Sequence, residues 1–170
     1  MTSQINIRPE QESDITQIHN VIKSAFETIS YSNQKEHFLV DALRETGALD
    51  LSLVAELNGE VVGHIAFSNV TINSNESSWY GLAPVSVHPE YQNQGIGSKL
   101  ILEGLERVKE LGAEGCVLLG EPGYYNRFGF QQNDQLTLKG IPPEYFLVQS
   151  FTTEIPSGTV QYHPLFQEFG

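Results

Sequence analysis

The stretch HPEYQNQGIGSKL, residues 88–100, places two glycines directly before a helical pattern. Gly95 and Gly97 carry no Cβ atom, so the backbone can turn tightly or approach a ligand closely at these positions. From Ile96 onward the apolar residues recur with the spacing of one buried helical face, at positions 96, 100, 101, 105, 108 and 111. The glycines therefore mark a helix N-terminus, where unpaired N–H groups and the helix dipole favour an anion. An ordinary junction between a loop and a helix is the alternative.

The whole sequence has the size and composition of one soluble globular domain. It has 170 residues, of which 39% are apolar and 18% charged, and this composition is typical of a chain with a packed core. No apolar run approaches the ~20 residues that a membrane-spanning helix needs, and the first residues lack the pattern of an export signal. A single cysteine, Cys116, cannot form an internal disulfide. We therefore expect a cytoplasmic protein without a membrane partner.

The strong negative charge argues against a nucleic-acid partner. The net charge is −12, with only nine Lys and Arg residues, whereas non-specific binding to nucleic acid depends on Lys and Arg neutralising phosphates. A local phosphate site is still compatible with this charge, because repulsion by distant carboxylates is screened beyond ~8 Å. Such a site needs N–H groups and a nearby cation, which Lys99 could supply. No spacing of His, Cys, Asp or Glu indicates a metal site.

Local signals divide the chain into the strands and helices of a single α/β domain. Asn58-Gly59 separates the runs LSLVAEL and EVVGHIAFSNVTI, and this dipeptide is the strongest short-range signal of a hairpin. Pro84 cannot donate to a sheet ladder, so the strand WYGLAPVSV must be broken, bulged or at an edge near its middle. The other predicted elements are a strand over INIRP, a helix from Ser13 or Asp14 that carries Ile15, Ile18, Ile22, Ala25 and Phe26, a helix over about 34–46 ended by Gly47, the helix from Ile96 to Leu111 ended by Gly112, and strands over GCVLLG and YFLVQSF. This order predicts a mixed sheet flanked by helices.

Two familiar phosphate-binding motifs do not fit the glycine-rich stretch, and a third pattern does. Leu100 occupies the third glycine position of a dinucleotide-binding fingerprint, and Lys99 lacks the flanking residues of a P-loop. What is present is Gln92-x-x-Gly95-x-Gly97, after a strand and at the start of an amphipathic helix. This pattern resembles the pyrophosphate loop of the GCN5-related N-acetyltransferases (GNAT).

A second motif strengthens the resemblance and extends it over the chain. YYNRFGF, residues 124–130, is similar to the aromatic-Tyr-x-x-x-Gly-Phe segment that follows the fifth strand in this superfamily. VVGHIAFSNV, GLAPVSVHPEYQNQGIG, GEPGYYNRFGF and the ending YHPLF resemble its bacterial YhbS-like branch. The resemblance implies a single GNAT-type α/β domain whose mostly antiparallel sheet has splayed fourth and fifth strands. We expect the core to span residues 1–150, with residues 151–170 as a C-terminal extension packed on the same domain.

The resemblance also implies an activity, which is transfer of the acetyl group of acetyl-CoA to a primary amine in a direct ternary complex. In this family a tyrosine protonates the departing thiolate, and Tyr125 matches it, whereas a helical turn would point Tyr124 elsewhere. A backbone N–H near the bulge, for which we expect that of Val87, would polarise the thioester carbonyl. The expected contacts with the cofactor come from the strand residues Val85, Ser86 and Val87 and from the loop residues Gln92, Asn93, Gln94, Gly95, Ile96, Gly97 and Ser98.

Three points stay open from the sequence. Many relatives carry an asparagine seven residues before the tyrosine, where this chain has Leu118, and many use a glutamate on the fourth strand, where residues 79–87 contain no carboxylate. Glu121, His64 or water could deprotonate the amine. The alternatives to an acetyltransferase are a non-catalytic acyl-CoA-binding regulatory or interaction protein and an acyltransferase that uses a longer acyl-CoA or another acceptor. The acidic surface favours a small cationic amine or a basic peptide as acceptor, and a homodimer is left open.

Overall fold

The protein is built on a seven-stranded sheet, seen in a computed structural model that describes residues 4–30 and 32–169. Its strands are β1 (Asn6–Pro9), β2 (Leu51–Leu57), β3 (Glu60–Asn69), β4 (Trp79–Val87), β5 (Gly115–Leu119), β6 (Gln131–Gln132) and β7 (Phe146–Ser150). In space they follow the order β1-β2-β3-β4-β5-β7-β6. Every neighbouring pair is antiparallel except β4 and β5, which are parallel. The predicted mixed, mostly antiparallel sheet is confirmed.

Helices cover both faces of this sheet. They are α1 (Ile15–Phe26), α2 (Glu36–Glu45), α3 (Ile96–Glu110), α4 (Pro122–Tyr125) and α5 (Leu165–Phe169). Apolar residues of α1 and α2 pack with Val54 and Val61 on one face, whereas those of α3 pack with Ile65 and Phe67 on the other. Gly47, which follows α2, has a φ of +77° and ends the helix as predicted.

The two turns with the strongest local signals form as the sequence predicts. Asn58 and Gly59 have φ angles of +53° and +82°, the left-handed pair that a type I′ hairpin between β2 and β3 requires. Gly112, with a φ of +96°, follows the end of α3. The expectation that Leu111 lies on the buried face of α3 is wrong, since its side chain is 53% exposed. The helix ends at Glu110, and the chain has already begun to turn at Leu111.

The strands β4 and β5 separate part-way along their length. They pair only from Trp79 to Gly81, and the last pair joins Gly81 to Val117. On the other side of β4, the register with β3 shifts between Ile65 and Phe67, which places a bulge at Pro84. We call the gap beyond Gly81 and Val117 the splay, and that last pair its apex. Of the three arrangements that Pro84 allowed, the structure shows the bulge, and the predicted splayed strands are confirmed.

The C-terminal residues join a second, smaller sheet. In it Gly158–Gln161 lies between Thr71–Ile72 and Leu136–Thr137, antiparallel to the first and parallel to the second. Val160 is buried there against Trp79 and Val117 of the main sheet. Within residues 4–30 and 32–169, no helix is long and apolar enough to cross a membrane.

Candidate active site

The glycine-rich loop before α3 leaves its backbone N–H groups unpaired. Asn93 and Gly95 both adopt left-handed conformations, with φ angles of +65° and +81°. The first helical hydrogen bond runs from the Lys99 N–H to the Gly95 carbonyl at 3.1 Å, and among the described residues no acceptor pairs with the N–H groups of residues 93–98. The loop is held against β4 because the Gln92 side-chain amide donates to the Val87 carbonyl at 3.0 Å. The result is a cluster of free donors at the positive end of a helix, suited to an anion.

A cleft of about 470 Å³ lies between this loop, the end of β4 and α4. Most of the residues predicted to contact a cofactor line it, whereas Gln94 is exposed and Ser86 is buried on the other side of β4. Three lining residues were not predicted as site residues: Tyr91, Ile101 and Arg127. Tyr124, which we expected to point elsewhere, also lines the cleft, whereas Tyr125 does not. The complete lining is Val85, Val87, Tyr91, Gln92, Asn93, Gly95, Ile96, Gly97, Ser98, Ile101, Tyr124 and Arg127.

The backbone of β4 presents hydrogen-bonding groups to this cleft. The His88 N–H donates to the Val62 carbonyl at 2.9 Å, and Val87 lies opposite Gly63 in the register of β3 and β4. Bonded and non-bonded pairs alternate in an antiparallel ladder, so the backbone groups of Val87 and Val85 point away from β3 and into the splay. Those of Ser86 point to β3. The structure therefore brings Val85 and Val87 to the cleft, but not Ser86.

The adjacent tyrosines of α4 lie in different surroundings. Tyr124 lines the cleft, and a Cβ atom on Gly97 would lie 3.7 Å from its hydroxyl oxygen. The Tyr125 ring covers Gly120 at the end of β5 so closely that a Cβ atom there would overlap it, and its centroid lies 6.3 Å from that of Phe130. Tyr125 thus sits beside β5, while Tyr124 faces the glycine-rich loop.

Arg127 supplies the positive charge of the cleft. Its guanidinium carbon lies 4.8 Å from the centre of the Tyr124 ring, and its Nε donates to the Tyr124 carbonyl at 3.0 Å. Lys99, the cation considered from the sequence, is exposed and does not line the cleft. The sequence motif could not show that Arg127 rather than Lys99 supplies the charge, because this depends on how α4 packs against the loop.

His64 lies in a buried hydrogen-bond chain on the other face of the sheet. Its Nε2 is 2.7 Å from the Ser52 hydroxyl, which donates to the Glu10 carboxylate, and Arg44 holds that carboxylate with two hydrogen bonds of 2.8 Å. Because Ser52 gives its one proton to Glu10, its oxygen accepts from the His64 Nε2–H. The lone pair of His64 is therefore on Nδ1, which has no partner in the part of the chain that the structure describes.

The surroundings lower the pKa values of both His64 and Glu10 in this hydrogen-bond network. Burial lowers the pKa of His64 from 6.5 to about 4, so the ring is neutral at pH 7. Burial, the largest single effect, would raise the pKa of Glu10, but the hydrogen bonds from Arg44 and Ser52 and the positive charge of Arg44 lower it, and the pKa ends below its ordinary value. The network is thus a neutral imidazole joined through a hydroxyl to an ion pair.

The other sequence candidates for proton transfer do not reach the cleft. Glu121 is exposed before α4, and its carbonyl rather than its side chain accepts from the N–H groups of Tyr124 and Tyr125, both at 3.1 Å. Within the described part of the chain, no carboxylate lines the cleft. Leu118 is buried in β5. Among the described residues, no three His, Cys, Asp or Glu side chains converge in a way that could hold a metal ion.

Comparison with known families identifies the arrangement. The model of the acetyltransferase (GNAT) domain family matches residues 6–132, which include β1 to β6, the glycine-rich loop and α4. The chain belongs to the GNAT family of acetyltransferases. The resemblance read from the loop motif and from YYNRFGF is confirmed, and GNAT proteins are acyltransferases.

Several GNAT proteins match nearly the whole chain. The uncharacterized N-acetyltransferase YhbS of Escherichia coli K12 is 35% identical over 96% of this chain and 99% of its own. A crystal structure of E. coli YhbS in complex with CoA has a TM-score of 0.92 and 33% identity, over 100% of this chain and 96% of that one. A GNAT family acetyltransferase from Brucella melitensis, solved in complex with acetyl-CoA, has 50% identity and a TM-score of 0.86, over 96% of this chain and 98% of that one.

Proposed function

We propose that the protein binds acetyl-CoA and transfers its acetyl group directly to a primary amine while both substrates are bound. The observation that carries this proposal is a single cleft that combines the free N–H groups of residues 93–98 with the outward-facing backbone of Val85 and Val87. The first group suits the pyrophosphate and the second suits an extended amide-containing arm. The complexes of the two solved relatives with CoA and acetyl-CoA support the same cofactor here.

The cleft accounts for the parts of the cofactor in order. The pyrophosphate would lie at the N-terminus of α3, where Gly97 leaves room and Arg127 adds a positive charge. From there the pantetheine arm would run along β4, past Val87 first and Val85 next, and add a strand-like partner in the splay. Arg127 is held by the Tyr124 ring and carbonyl, so little of its conformational freedom is lost on binding.

The chemical step needs a donor to the thioester carbonyl and a proton for the departing thiolate. The Val87 N–H remains the predicted donor, and the Val85 N–H, deeper in the splay, has the same orientation and is the second candidate. Tyr125 remains the predicted acid. Its position beside the end of β5, at the side of the splay opposite β4, is compatible with that role.

For the attacking amine, we propose that water removes the proton. His64 is fully buried, and a base with a pKa of about 4 is too weak to deprotonate an amine efficiently near neutral pH. Glu121 is exposed and lies outside the cleft. The net charge of −12 favours a cationic acceptor, and the cytoplasm is the compartment that we propose.

A CoA-binding protein without turnover is the second candidate function. It is favoured by the lack of a carboxylate among the described residues that line the cleft, and by Leu118 at the position where many relatives have asparagine. The two candidates share the cofactor site and differ only in whether CoA is released.

The test combines binding and turnover. Calorimetry measures the affinity for acetyl-CoA and CoA. A thiol-release assay measures the CoA released in the presence of each member of a panel of polyamines, aminoglycosides and basic peptides, and mass spectrometry detects the acetylated products. Thiol release with an acetylated amine supports the enzyme, and binding without release across the panel supports the second candidate. If the protein binds neither nucleotide, both proposals fail.

A further inference from the structure

One short segment, α4 and the turn that follows it, carries residues for both ends of the proposed cofactor. Tyr124 faces the glycine-rich loop, and a Cβ atom on Gly97 would lie 3.7 Å from its hydroxyl oxygen. Arg127 lines the same cleft. Tyr125, the predicted acid, belongs to the same turn of helix but lies beside the end of β5. Residues 124–127 therefore join the groups that suit the pyrophosphate to the group that suits the departing thiolate.

The helix α4 is too short to be stable by itself. It has four residues, and the N–H groups of Tyr124 and Tyr125 both donate to the Glu121 carbonyl at 3.1 Å. A single turn of helix fixes several backbone angles for few hydrogen bonds, so isolated turns do not persist in water. Gly123 weakens this turn further, since glycine disfavours a helical conformation. The order of α4 therefore depends on what its side chains contact.

The side chains of this segment contact one another in a series that ends at the predicted acid. The Arg127 guanidinium carbon lies 4.8 Å from the centre of the Tyr124 ring, and the Arg127 Nε donates to the Tyr124 carbonyl. The Tyr124 ring packs edge-on against that of Tyr125, with 4.9 Å between their centres. Both rings also lie against the buried Phe128. A ligand that holds Arg127 and Tyr124 thus restrains Tyr125 as well.

The charge of Arg127 has no carboxylate partner within the described residues. Each of the other three arginines, Arg8, Arg44 and Arg107, pairs with a carboxylate at 2.7 to 2.9 Å. Arg127, which is exposed, instead contacts the Tyr124 ring and carbonyl. Guanidinium groups form strong, charge-assisted hydrogen bonds with phosphate oxygens. A pyrophosphate bound at the glycine-rich loop would therefore supply the ionic partner that Arg127 lacks.

We propose that the pyrophosphate of bound CoA, held by Arg127 and Tyr124, keeps α4 folded and thereby positions Tyr125 beside the splay. If α4 opens, these two contacts are lost, so the ligand binds the folded turn better than the open one and stabilises it. Arg127 and Tyr124 are then positioning residues, which act on the chemical step through Tyr125. Binding at the remote end of the cofactor in this way assists its reacting end. The inference rests on the proposed function, because it assumes that the cleft binds CoA.

Amide hydrogen exchange tests the inference without requiring turnover. The N–H groups of Tyr124, Tyr125 and Asn126 are hydrogen-bonded within the turn, so they exchange when α4 opens. The probes are CoA and ADP, and ADP carries the pyrophosphate without the pantetheine arm. At saturation each should slow the exchange at least about ten-fold, through one charge-assisted hydrogen bond that opening would break. Mass spectrometry of a peptide that covers residues 121–128 measures the exchange, and calorimetry establishes saturation.

Three variants identify the source of this protection. Arg127→Gln should remove most of it at saturating ADP, because the loop N–H groups still bind the pyrophosphate but α4 no longer contacts it through a charge. Arg107→Gln is the matched control, since it removes the same charge from an arginine of α3 that pairs with Glu103, and it should behave as the parent protein does. Gly123→Ala should slow the exchange about five-fold without ligand, because alanine favours the helix and a Cβ atom there has nothing within 4 Å.

Turnover provides a second measurement of the same coupling. Arg127→Gln should lower kcat in the parent protein, and it should not lower kcat further in a Tyr125→Phe protein, because its effect depends on the Tyr125 hydroxyl. An equal loss in both backgrounds would overturn the inference.

The exchange experiment can overturn the inference as well. Unchanged exchange with saturating ADP, or equal protection in Arg127→Gln, would show that the pyrophosphate does not stabilise α4 through Arg127. Protection by CoA alone would assign the effect to the pantetheine arm, and unchanged exchange in Gly123→Ala would show that α4 is not the element that opens. All of these outcomes leave the proposed function standing as long as the parent protein binds CoA. A parent protein that binds neither CoA nor acetyl-CoA would remove the proposed function itself.

Discussion

At the scale of single residues, the direction of each side chain decides what the candidate site can do. Neighbouring residues of a helix point about 100° apart, so Tyr124 and Tyr125 cannot face the same group. The Tyr124 hydroxyl faces Gly97, and the Tyr125 ring covers Gly120 beside β5. The first position suits contact with the pyrophosphate end of the cofactor. The second suits contact with the reacting end.

Tyr125→Phe should slow turnover on the order of 10²-fold and leave acetyl-CoA affinity nearly unchanged, because the ring stays in place and the proton for the thiolate is lost. Tyr124→Phe should affect turnover much less. Since the acidity of the CoA thiol is similar to that of cysteine, with a pKa of about 8.5, the defect should shrink above that pH. Steady-state rates from pH 6 to about 10 check this. Full activity at pH 7 would assign Tyr125 a packing role.

Glu121→Gln should leave the shape of the pH profile of turnover unchanged if water deprotonates the amine. The carboxylate is exposed, and no hydrogen bond directs it to the cleft within the described part of the chain. The two profiles should then run parallel. A loss of rate relative to the parent protein that is largest near neutral pH and disappears as the pH rises would instead identify Glu121 as the base.

His64→Gln should flatten the acid side of the stability profile. The folded protein holds His64 at a pKa of about 4, below its ordinary 6.5, so between these values the unfolded chain binds the proton and the folded one does not. The stabilisation is complete above pH 6.5 and is lost as the pH falls toward 4, by ~3 kcal/mol in all. Urea unfolding at a series of pH values should show a shallower decline for the variant. Equal slopes would contradict the shifted pKa.

At the scale of elements, the start of α3 is the part of the candidate site that could be predicted from the sequence. The loop could be predicted because free N–H groups at a helix end, and glycines that keep side chains away, are local features of the sequence. The hairpin at Asn58-Gly59 was readable for the same reason. Arg127 and Tyr124 were not, because their place in the cleft depends on the packing of α4. The Glu10–Ser52–His64 chain was hidden as well, since its members come from segments far apart in sequence.

Gly97→Val should obstruct the pyrophosphate and weaken acetyl-CoA binding without unfolding the protein. A Cβ atom there would lie 3.7 Å from the Tyr124 oxygen and 3.8 Å from a Val87 methyl, which are ordinary contacts, so the fold has room for it. The added methyls would then occupy the cleft. Leu102→Val places the same side chain on the exposed side of α3 and should bind normally in calorimetry. Unchanged affinity in a folded Gly97→Val protein would argue against the loop as the pyrophosphate site.

At the scale of the whole molecule, distant parts of the chain share one core. Gly158–Gln161 is the central strand of the smaller sheet, so Thr71–Ile72 and Leu136–Thr137 are joined only through it in that sheet. Val160 is 1% exposed and packs with residues of β4, β5 and β7. No local pattern predicts this strand, because its pairing partners lie far away along the chain. We therefore propose that residues 151–170 belong to the same cooperative unit as the matched domain.

A chain ended at residue 150 should consequently fail to fold stably, because it would expose Val70, Val117 and Val148 at once. The graded form of this test is Val160→Ala, which should lower the free energy of unfolding by about 2 kcal/mol through lost burial and the cavity left behind. Leu102→Ala, at a side chain that is 56% exposed, should change it little. Urea unfolding measures both variants, and thermal unfolding with calorimetry measures the shortened chain. If the shortened chain melts as the full one does and still binds CoA, residues 151–170 are an appendage.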